Sequence, residues 1–212
     1  MEHLIEANYI VDLKSVGCQD RLLTFTGNAG DKIYIGSSPK RCQTHFEVLC
    51  GLCKPDVGEV KLAGTNPYAL SPSEGAAFRR DTIGAIPLGG GLIPELRMID
   101  QIALPMQLAG YENSVILEEV RSLTSELLPL HSLYNTPGRC TVRKQAHAAI
   151  LRAMIRKPKV LVANSFLDDM TDLDTDVLWR VLLGLCPENC VLIYLSGAPA
   201  PEQVSWTQEI RI

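Results

Sequence analysis

Two kinds of hydrophobic pattern alternate along this chain. Short, nearly continuous apolar runs are typical of β-strands, and they predict strands at 31–36, 58–64, 81–86, 159–163 and 190–195. Between them, apolar residues recur every three or four positions, which is typical of helices, at about 43–52, 74–80, 114–128, 142–156 and 174–185. The last two strands are apolar at almost every position, as in strands buried on both faces of a parallel sheet. The alternation predicts an α/β fold with crossover helices.

The stretch 92–140 departs from this rhythm. It contains no convincing strand, and helix- or strand-breaking residues interrupt it at Pro94, Pro105, Gly110, Pro129 and Pro137. We therefore expect a helical subdomain that is inserted into a single domain spanning 1–212.

The composition excludes several classes of protein. Of 212 residues, 46% are hydrophobic and 21% are charged, and the formal net charge is −4. No basic field therefore points to nucleic acid as a partner. No run reaches the roughly 18 apolar residues that a membrane-spanning helix needs, and the first residues lack the basic and apolar regions of a secretory signal. We expect a cytoplasmic protein, with any membrane contact supplied by a partner.

The cysteines and histidines give little support for a metal site. Seven cysteines, an odd number, indicate reduced thiols rather than a disulfide framework. Cys50 and Cys53 form a C-x-x-C pair that could serve a redox reaction or half of a zinc site. Alternatively, both are small apolar residues of a helix that ends near Leu52. No second C-x-x-C and no histidine pair completes a metal site, so we expect no bound metal. The histidines are interpreted as structural or surface residues: His3, His45, His131 and His147.

The segment IYIGSSPKRCQTHFEVL has the outline of a phosphate-binding loop: a short strand, a glycine, a polar loop and a helix. Such a loop follows the pattern G-x-x-x-x-G-K-[ST], in which backbone N–H groups and the lysine bind phosphates and the hydroxyl binds Mg²⁺. When the pattern is laid on the sequence from Gly36, the second glycine becomes Arg41, the lysine Cys42 and the hydroxyl Gln43. Pro39, inside the loop, has no N–H to donate. The outline is present, but most of the binding groups are replaced.

Three further segments carry a resemblance: GLCKPDVGEVKLAGTNPYALSPSEGAAFRRDTIGAI, GLIPELRMIDQIALPMQLAG and RAMIRKPKVLVANSF. The first resembles the stretch after the phosphate loop of ATP-binding cassette (ABC) ATPases. The second is similar to the segment after their glutamine loop, especially in the lipoprotein-releasing, macrolide-export and FtsE-like group. The third is similar to the run from their signature helix into the Walker B strand. The resemblance extends from about Leu22 to Leu195. It implies a RecA-like core with a parallel sheet, an N-terminal antiparallel β portion and a helical subdomain.

The resemblance also implies which positions would carry the chemistry, and these positions differ from the family. The glutamine that helps to hold Mg²⁺ and water corresponds to Leu88. The Walker B acid and the catalytic glutamate correspond to Asn164 and Ser165, and the switch histidine corresponds to Gly197.

The signature and the D-loop differ as well. In the family, the signature presents backbone N–H groups to the γ-phosphate bound by the opposite subunit. It corresponds here to 140–144, where Val142 and Arg143 replace glycines. The D-loop aspartate corresponds to Thr171.

These replacements lead to the first hypothesis, a degenerate and non-hydrolysing cassette that acts as a structural or regulatory subunit of an ABC-type membrane transport or envelope complex. No catalytic residue and no cofactor is assigned, and the vestige of the nucleotide site is Gly36, Ser38, Lys40 and Thr44. The alternative is a divergent ABC ATPase that binds ATP and Mg²⁺ through Lys40 and Thr44, or hydrolyses ATP slowly, to drive a permease of the macrolide-export or FtsX-like kind. In either case we expect Lys40 to project from the loop. A redox or metal protein that uses the C-x-x-C pair is a third hypothesis.

The partners follow from the segment GLIPELRMIDQIALP, which keeps the apolar character of its relatives. In the family, this region forms part of a groove that takes a coupling helix of the permease. A permease-docking surface is therefore predicted at Leu92, Pro94, Glu95, Leu96 and Arg97. The alternative is that the apolar residues of this segment only fill the subdomain core. We expect an integral-membrane permease as partner, a location on the inner face of the cell membrane, and a dimer with a second copy or with an intact cassette.

Overall fold

The computed structural model describes residues 3–11 and 22–212. The strands are β1 (Ile5–Ile10), β2 (Leu23–Gly27), β3 (Lys32–Gly36), β4 (Val57–Leu62), β5 (Ile83–Ile86), β6 (Val160–Asn164), β7 (Val191–Ser196) and β8 (Gln208–Arg211). The helices are α1 (Pro39–Leu49), α2 (Pro72–Thr82), α3 (Met98–Leu108), α4 (Asn113–Thr124), α5 (Leu130–Leu133), α6 (Val142–Met154) and α7 (Asp172–Leu185). From β3 to β7, helices separate successive strands, as the hydrophobic pattern predicts, and four helices (α3 to α6) lie between β5 and β6.

A small antiparallel sheet has the order β2-β1-β4. Its central strand places Ala7 opposite Phe25 on one side and Val60 on the other. Buried and exposed residues alternate along β2, so one face of the sheet packs on the core. This sheet confirms the N-terminal antiparallel portion, although β1 and β2 were not among the predicted strands.

A second sheet has the order β5-β6-β7-β3-β8. The pairs β3–β7, β3–β8 and β6–β7 are parallel. Every residue of β6 and β7 is buried, which confirms the prediction of strands covered on both faces. The edge strand β8 was not predicted, because its sequence QEIR has only one apolar residue.

The contacts divide the chain into two compact units. Unit 1 comprises residues up to Ala85, Pro158–Ser165 and Pro187–Ile212, and therefore contains both sheets apart from the last residue of β5. Its core is formed by strand residues together with the inner face of α1, including Phe46 and Leu49.

Unit 2 comprises Ile86–Lys157 and Phe166–Cys186 and contains α3 to α7. Its buried core is Met98, Ile102, Ala103, Met106, Ile116, Val120, Leu128, Leu133, Ala148, Leu151 and Ile155. Residues 92–140 contain no strand, as predicted. Pro105, which was interpreted as a breaker, lies inside α3 near its end. In the described ranges, no helix is long and apolar enough to cross a membrane.

Helix α1 differs from its prediction at both ends. It begins at Pro39 rather than near residue 43, because proline at the first helical position has a pre-set φ and loses no hydrogen bond there. It ends at Leu49 rather than near Leu52, and Cys50 follows as the C-cap.

A buried polar pair joins β1 to α1. The Tyr9 hydroxyl lies 2.9 Å from Nδ1 of His45, and both side chains are buried. Burial, with a smaller contribution from the nearby Arg41 charge, lowers the pKa of His45 to about 4. His45 is therefore a neutral structural residue, as the sequence analysis interpreted it.

Candidate functional site

The loop that resembles a phosphate-binding loop is short. Strand β3 ends at Gly36 and helix α1 begins at Pro39, so only Ser37 and Ser38 lie between them. The Ser37 N–H donates to Ser196 O (3.1 Å). The Ser37 hydroxyl also donates, to the carbonyl of Ile212 (3.1 Å). The loop is therefore a tight turn held by backbone partners from the carboxyl ends of neighbouring strands.

Gly36 and the lysine position Cys42 are both fixed by packing. A Cβ on Gly36 would lie 3.0 Å from the Tyr34 ring, closer than nearly all real contacts. The Cys42 side chain is fully buried, and its Sγ lies 3.4 Å from the Ser37 carbonyl oxygen. The position that would send an ammonium group to the phosphates thus points a small thiol back at the loop.

The positions that would share a metal ion are bonded to each other. Asn164, the last residue of β6, donates from Nδ2 to Oε1 of Gln43 over 3.0 Å. Gln43 in turn donates from Nε2 to Oε1 of Glu47, one turn further along α1 (2.9 Å). Asn164 is buried. The Walker B position and the metal-binding hydroxyl position therefore form one amide–amide contact.

Ser165 and Gly197 are the residues that the resemblance aligns with the catalytic glutamate and the switch histidine. Ser165 has a φ of +45°, and its hydroxyl lies 3.3 Å from the Leu195 carbonyl oxygen, to which it donates. At Gly197, a Cβ would lie 3.4 Å from the Ser37 carbonyl oxygen. Position 197 therefore faces the loop, but a glycine offers no side chain there.

Lys40 and Thr44, which the alternative hypothesis needs, lie one turn apart on α1. Lys40 is exposed and belongs to the first turn of the helix, which corrects the expectation that it projects from the loop. The cause is Pro39, at which the helix begins. The Thr44 hydroxyl donates to the Lys40 carbonyl oxygen over 3.1 Å. Ser38 is the N-cap of α1, and its side chain makes no capping hydrogen bond.

These side chains do not match a magnesium–nucleotide complex. Mg²⁺ prefers carboxylate oxygens, waters and substrate phosphates, and the phosphates need the lysine of the loop. The corresponding side chains are two neutral amides, one buried thiol and a hydroxyl that donates to a carbonyl. Among the described residues, no group of three or more histidine, cysteine or acidic side chains could hold a metal ion.

The signature and D-loop positions lie in unit 2, where they begin helices. Thr141 and Thr171 are the N-caps of α6 and α7, and each accepts a hydrogen bond from a backbone N–H of its own first turn. Val142 is exposed, and Arg143 forms an ion pair with Asp174 (3.2 Å). The residues at the glycine positions are therefore an exposed valine and an arginine that pairs within unit 2.

The predicted docking segment is also in unit 2, and only part of it is exposed. Pro94, Glu95 and Arg97 are exposed, whereas Leu92 and Leu96 are partly buried. Ile93, which was not among the predicted docking residues, has 40% of its surface exposed.

Two buried or partly buried side chains, which the sequence analysis did not single out, hold this segment in shape. Gln101 accepts from Ile93 N–H (2.7 Å) and donates to Ile93 O (3.1 Å). Arg152 donates to the carbonyls of Gly90 and Gly91 (2.7 and 2.8 Å). A polar residue inside an apolar helix pattern, such as Gln101 in MIDQIAL, was the signal that could have revealed this support.

The C-x-x-C pair is divided between two environments. Cys50 is buried, and burial raises its pKa far above the usual range of a thiol. Cys53 is exposed, in the turn after α1. A thiol that stays protonated is a poor nucleophile, so this geometry offers little for the redox hypothesis.

Comparisons with known proteins find relatives in sequence and in structure, although no family model matches the chain. The lipoprotein-releasing system ATP-binding protein LolD of Geobacter metallireducens is 28% identical over 130 residues, which are 61% of this chain and 58% of that protein. LolD 1 of Rhodopirellula baltica is 28% identical over 160 residues, which are 75% of this chain and 70% of that protein. The match thus spans only about three fifths of the length of the first of these relatives.

Solved structures extend the likeness to the fold. A dimeric post-hydrolysis structure of the ATP-binding cassette MJ0796 with ADP and Pi has a TM-score of 0.76, at 18% identity, and the match covers 92% of this chain and 88% of that one. A second dimeric structure of MJ0796, a bacterial ABC transporter cassette, has a TM-score of 0.72 at 19% identity. The α/β architecture with one parallel and one antiparallel sheet is therefore that of an ABC ATPase. In sequence and in fold, this chain is similar to ABC-type ATP-binding cassettes, and its relatives in sequence are lipoprotein-releasing cassettes.

Proposed function

We propose that this chain is a non-hydrolysing cassette that serves as a structural or regulatory subunit of an ABC-type membrane complex. The observation that carries the proposal is the hydrogen bond from Asn164 to Gln43. In an active cassette, the residues at these two positions would bind a metal ion. Here the two side chains hydrogen-bond to each other instead, and neither is charged.

The groups that the candidate site lacks, the lysine of the loop and the general base, would contribute strongly to nucleotide binding and to catalysis. A hydrogen bond to a charged group contributes roughly 1.5–3 kcal/mol, and Cys42 offers no charge to a phosphate. A positioned general base accelerates a reaction typically 10²- to 10⁴-fold. Ser165 is not a base at neutral pH, and its hydroxyl donates to Leu195 O.

The docking segment supports a role at a membrane permease. Ile93, Pro94 and Glu95 are exposed, while Gln101 and Arg152 hold the backbone around them. A pre-shaped, partly apolar surface with a charged rim is typical of interaction sites. We propose that it docks on an integral-membrane permease at the inner face of the cell membrane.

The relatives and the structural neighbours suggest the other partners. The relatives are named for a lipoprotein-releasing system, so a permease of that kind is the first candidate. The MJ0796 structures are dimeric, and we propose that this chain pairs with a second copy or with an intact cassette.

The divergent ATPase stays as the second candidate because of Lys40. This lysine is exposed in the first turn of α1, and helix N-termini favour phosphate. The Thr44 hydroxyl argues against the divergent ATPase, because it donates to the backbone of its own helix.

The test is a nucleotide titration together with a hydrolysis assay on the purified protein. We expect no calorimetric binding of ATP with Mg²⁺ and no hydrolysis above background, and we expect Lys40→Ala and Thr44→Ala to change neither result. A turnover of about one per second, lost in both variants, would establish the divergent ATPase instead.

A further inference from the structure

Unit 2 contains an open cavity of about 560 Å³ on the side of α6 that faces α7. This volume is within the range of small-molecule sites. Its lining residues come from the segment after α4, from α6 and from α7: Ser125, Glu126, Leu127, Leu128, Pro129, Arg143, Lys144, His147, Val177 and Val181. Arg143 and His147 are four residues apart on α6, as are Val177 and Val181 on α7, so each helix turns one face to the cavity.

His147 is the unusual residue of this cavity. Its side chain is 7% exposed, and neither ring nitrogen has a hydrogen-bond partner among the residues that the structure describes. Most buried polar atoms are paired, and leaving one unpaired is unfavourable because it has lost its hydrogen bonds to water. The buried, unpaired imidazole therefore needs a role that the fold of unit 2 does not supply.

The charge around His147 is mixed, with the basic groups on its own helix. Burial first, and then the charge of Arg143, lowers the pKa of His147, while Asp174 opposes this shift. Arg143 pairs with Asp174, and Lys144 and Glu126 complete the charged lining. The neutral imidazole presents one N–H donor and one acceptor.

Half of the ten lining residues are aliphatic. Leu127, Leu128 and Pro129 come from the segment after α4, and Val177 and Val181 come from α7. At its basic end, the first turn of α6 contains no acidic residue. A helix N-terminus together with Lys144 favours an anionic group there.

We propose that this cavity binds a small aliphatic carboxylate, with its hydrocarbon chain against the aliphatic lining residues and its head group on His147 and Lys144. The His147 N–H donates to the carboxylate, and Lys144 supplies the opposite charge. The cavity shares no residue with the loop at Gly36, although Arg143 and Lys144 also lie in the segment that corresponds to the signature. Carboxylate binding is measured without nucleotide, so the result does not depend on whether the chain hydrolyses ATP.

The test uses octanoate as the probe and the ring signals of His147 in an NMR titration of the full chain. We expect octanoate to shift these signals and hexanoate to bind more than tenfold more weakly, because each methylene contributes about fourfold. We expect 1-octanol, which lacks the charge, to bind more weakly than octanoate.

Variants locate the site. Lys144→Ala should weaken octanoate binding about tenfold, and Val181→Trp should fill the cavity and abolish binding. His131→Gln, at an exposed histidine of α5, is the matched control and should bind octanoate as the wild type does.

Three outcomes would overturn the proposal: no shift of the His147 signals at millimolar octanoate, octanol binding as tight as octanoate binding, or unchanged binding in a folded Val181→Trp variant. The first two comparisons use the unaltered protein, so they remain decisive if a variant does not fold.

Discussion

Asn164 and Gln43 form a direct side-chain hydrogen bond of 3.0 Å. It joins the last residue of β6 to the second turn of α1, and Gln43 extends it to Glu47. The contact needs no ligand, so it holds the strand and the helix together in the nucleotide-free protein.

Removing either partner should lower stability, and by different amounts. Asn164→Ala removes a buried amide and should cost about 1 kcal/mol, whereas Gln43→Ala leaves that amide buried and unpaired and should cost about 1–3 kcal/mol. The double variant should show a coupling energy of about 1 kcal/mol in urea denaturation. Gln107→Ala, at an exposed glutamine of α3, is the control. Additive effects of the two changes would show that the bond contributes nothing.

Restoring two motif residues should not restore nucleotide binding. In Cys42→Lys with Gln43→Ser, the turn from Gly36 to Pro39 still contains only Ser37 and Ser38. The new lysine would also start from a fully buried position, which is costly for a charge. We therefore expect a lower melting temperature and no ATP binding by calorimetry. A millimolar or tighter dissociation constant would show that the loop is nearly intact.

Stability should fall with decreasing pH because of His45. Its pKa is lowered to about 4 in the folded protein and is about 6.5 in an unfolded chain. The unfolded state therefore takes up the proton first, and the stability contributed by neutral His45 is present above pH 6.5 and is lost as the pH falls towards 4. The loss is at most about 3–4 kcal/mol, at about 1.4 kcal/mol per pH unit.

The check is the pH dependence of the free energy of unfolding in His45→Gln. This variant should have a flatter profile between pH 6.5 and 4 than the wild type, and it should lose the contact with Tyr9. His131→Gln should follow the wild type. An unchanged slope in His45→Gln would contradict the assignment of this pH dependence to His45.

A charge reversal in the docking segment should release the protein from a membrane partner without unfolding it. Glu95 is exposed, whereas Arg97 forms an ion pair with Asp100 (2.6 Å), so Glu95→Lys is the cleaner change and Arg97→Glu also breaks a local contact. We expect Glu95→Lys to leave the membrane fraction in a sedimentation assay. Glu118→Lys, with the same charge change at an exposed site of α4, should stay bound. Wild-type recovery of Glu95→Lys with the membrane partner, or no such partner at all, would contradict docking.

The sequence revealed the parts of the fold that depend on continuous burial. The runs that became β6 and β7 are apolar throughout, so their strands and their sheet were predictable. In contrast, β1 alternates with polar residues such as Glu6 and Asn8, and β8 contains a single apolar residue. Such strands are specified by their partners in the sheet more than by their own composition.

The sequence indicates where the candidate site lies along the chain, but not which hydrogen bonds its side chains make. The replacements at Cys42 and Asn164 can be read from the sequence, because the motif spacing is kept. The hydrogen bond from Asn164 to Gln43 could not be predicted, because it joins residues that are 121 positions apart in the sequence. The early start of α1 is explained by Pro39, since proline favours the first turn of a helix. The predicted start near residue 43 gave more weight to the motif alignment than to this preference.

Every residue of β6 and β7 is buried, so a larger side chain inside these strands would have to displace packed neighbours. Gly197 follows β7 directly, and a Cβ there would meet only ordinary contacts of 3.4 Å or more. Position 197 can therefore accept a side chain beside the loop while the interior of the sheet stays unchanged.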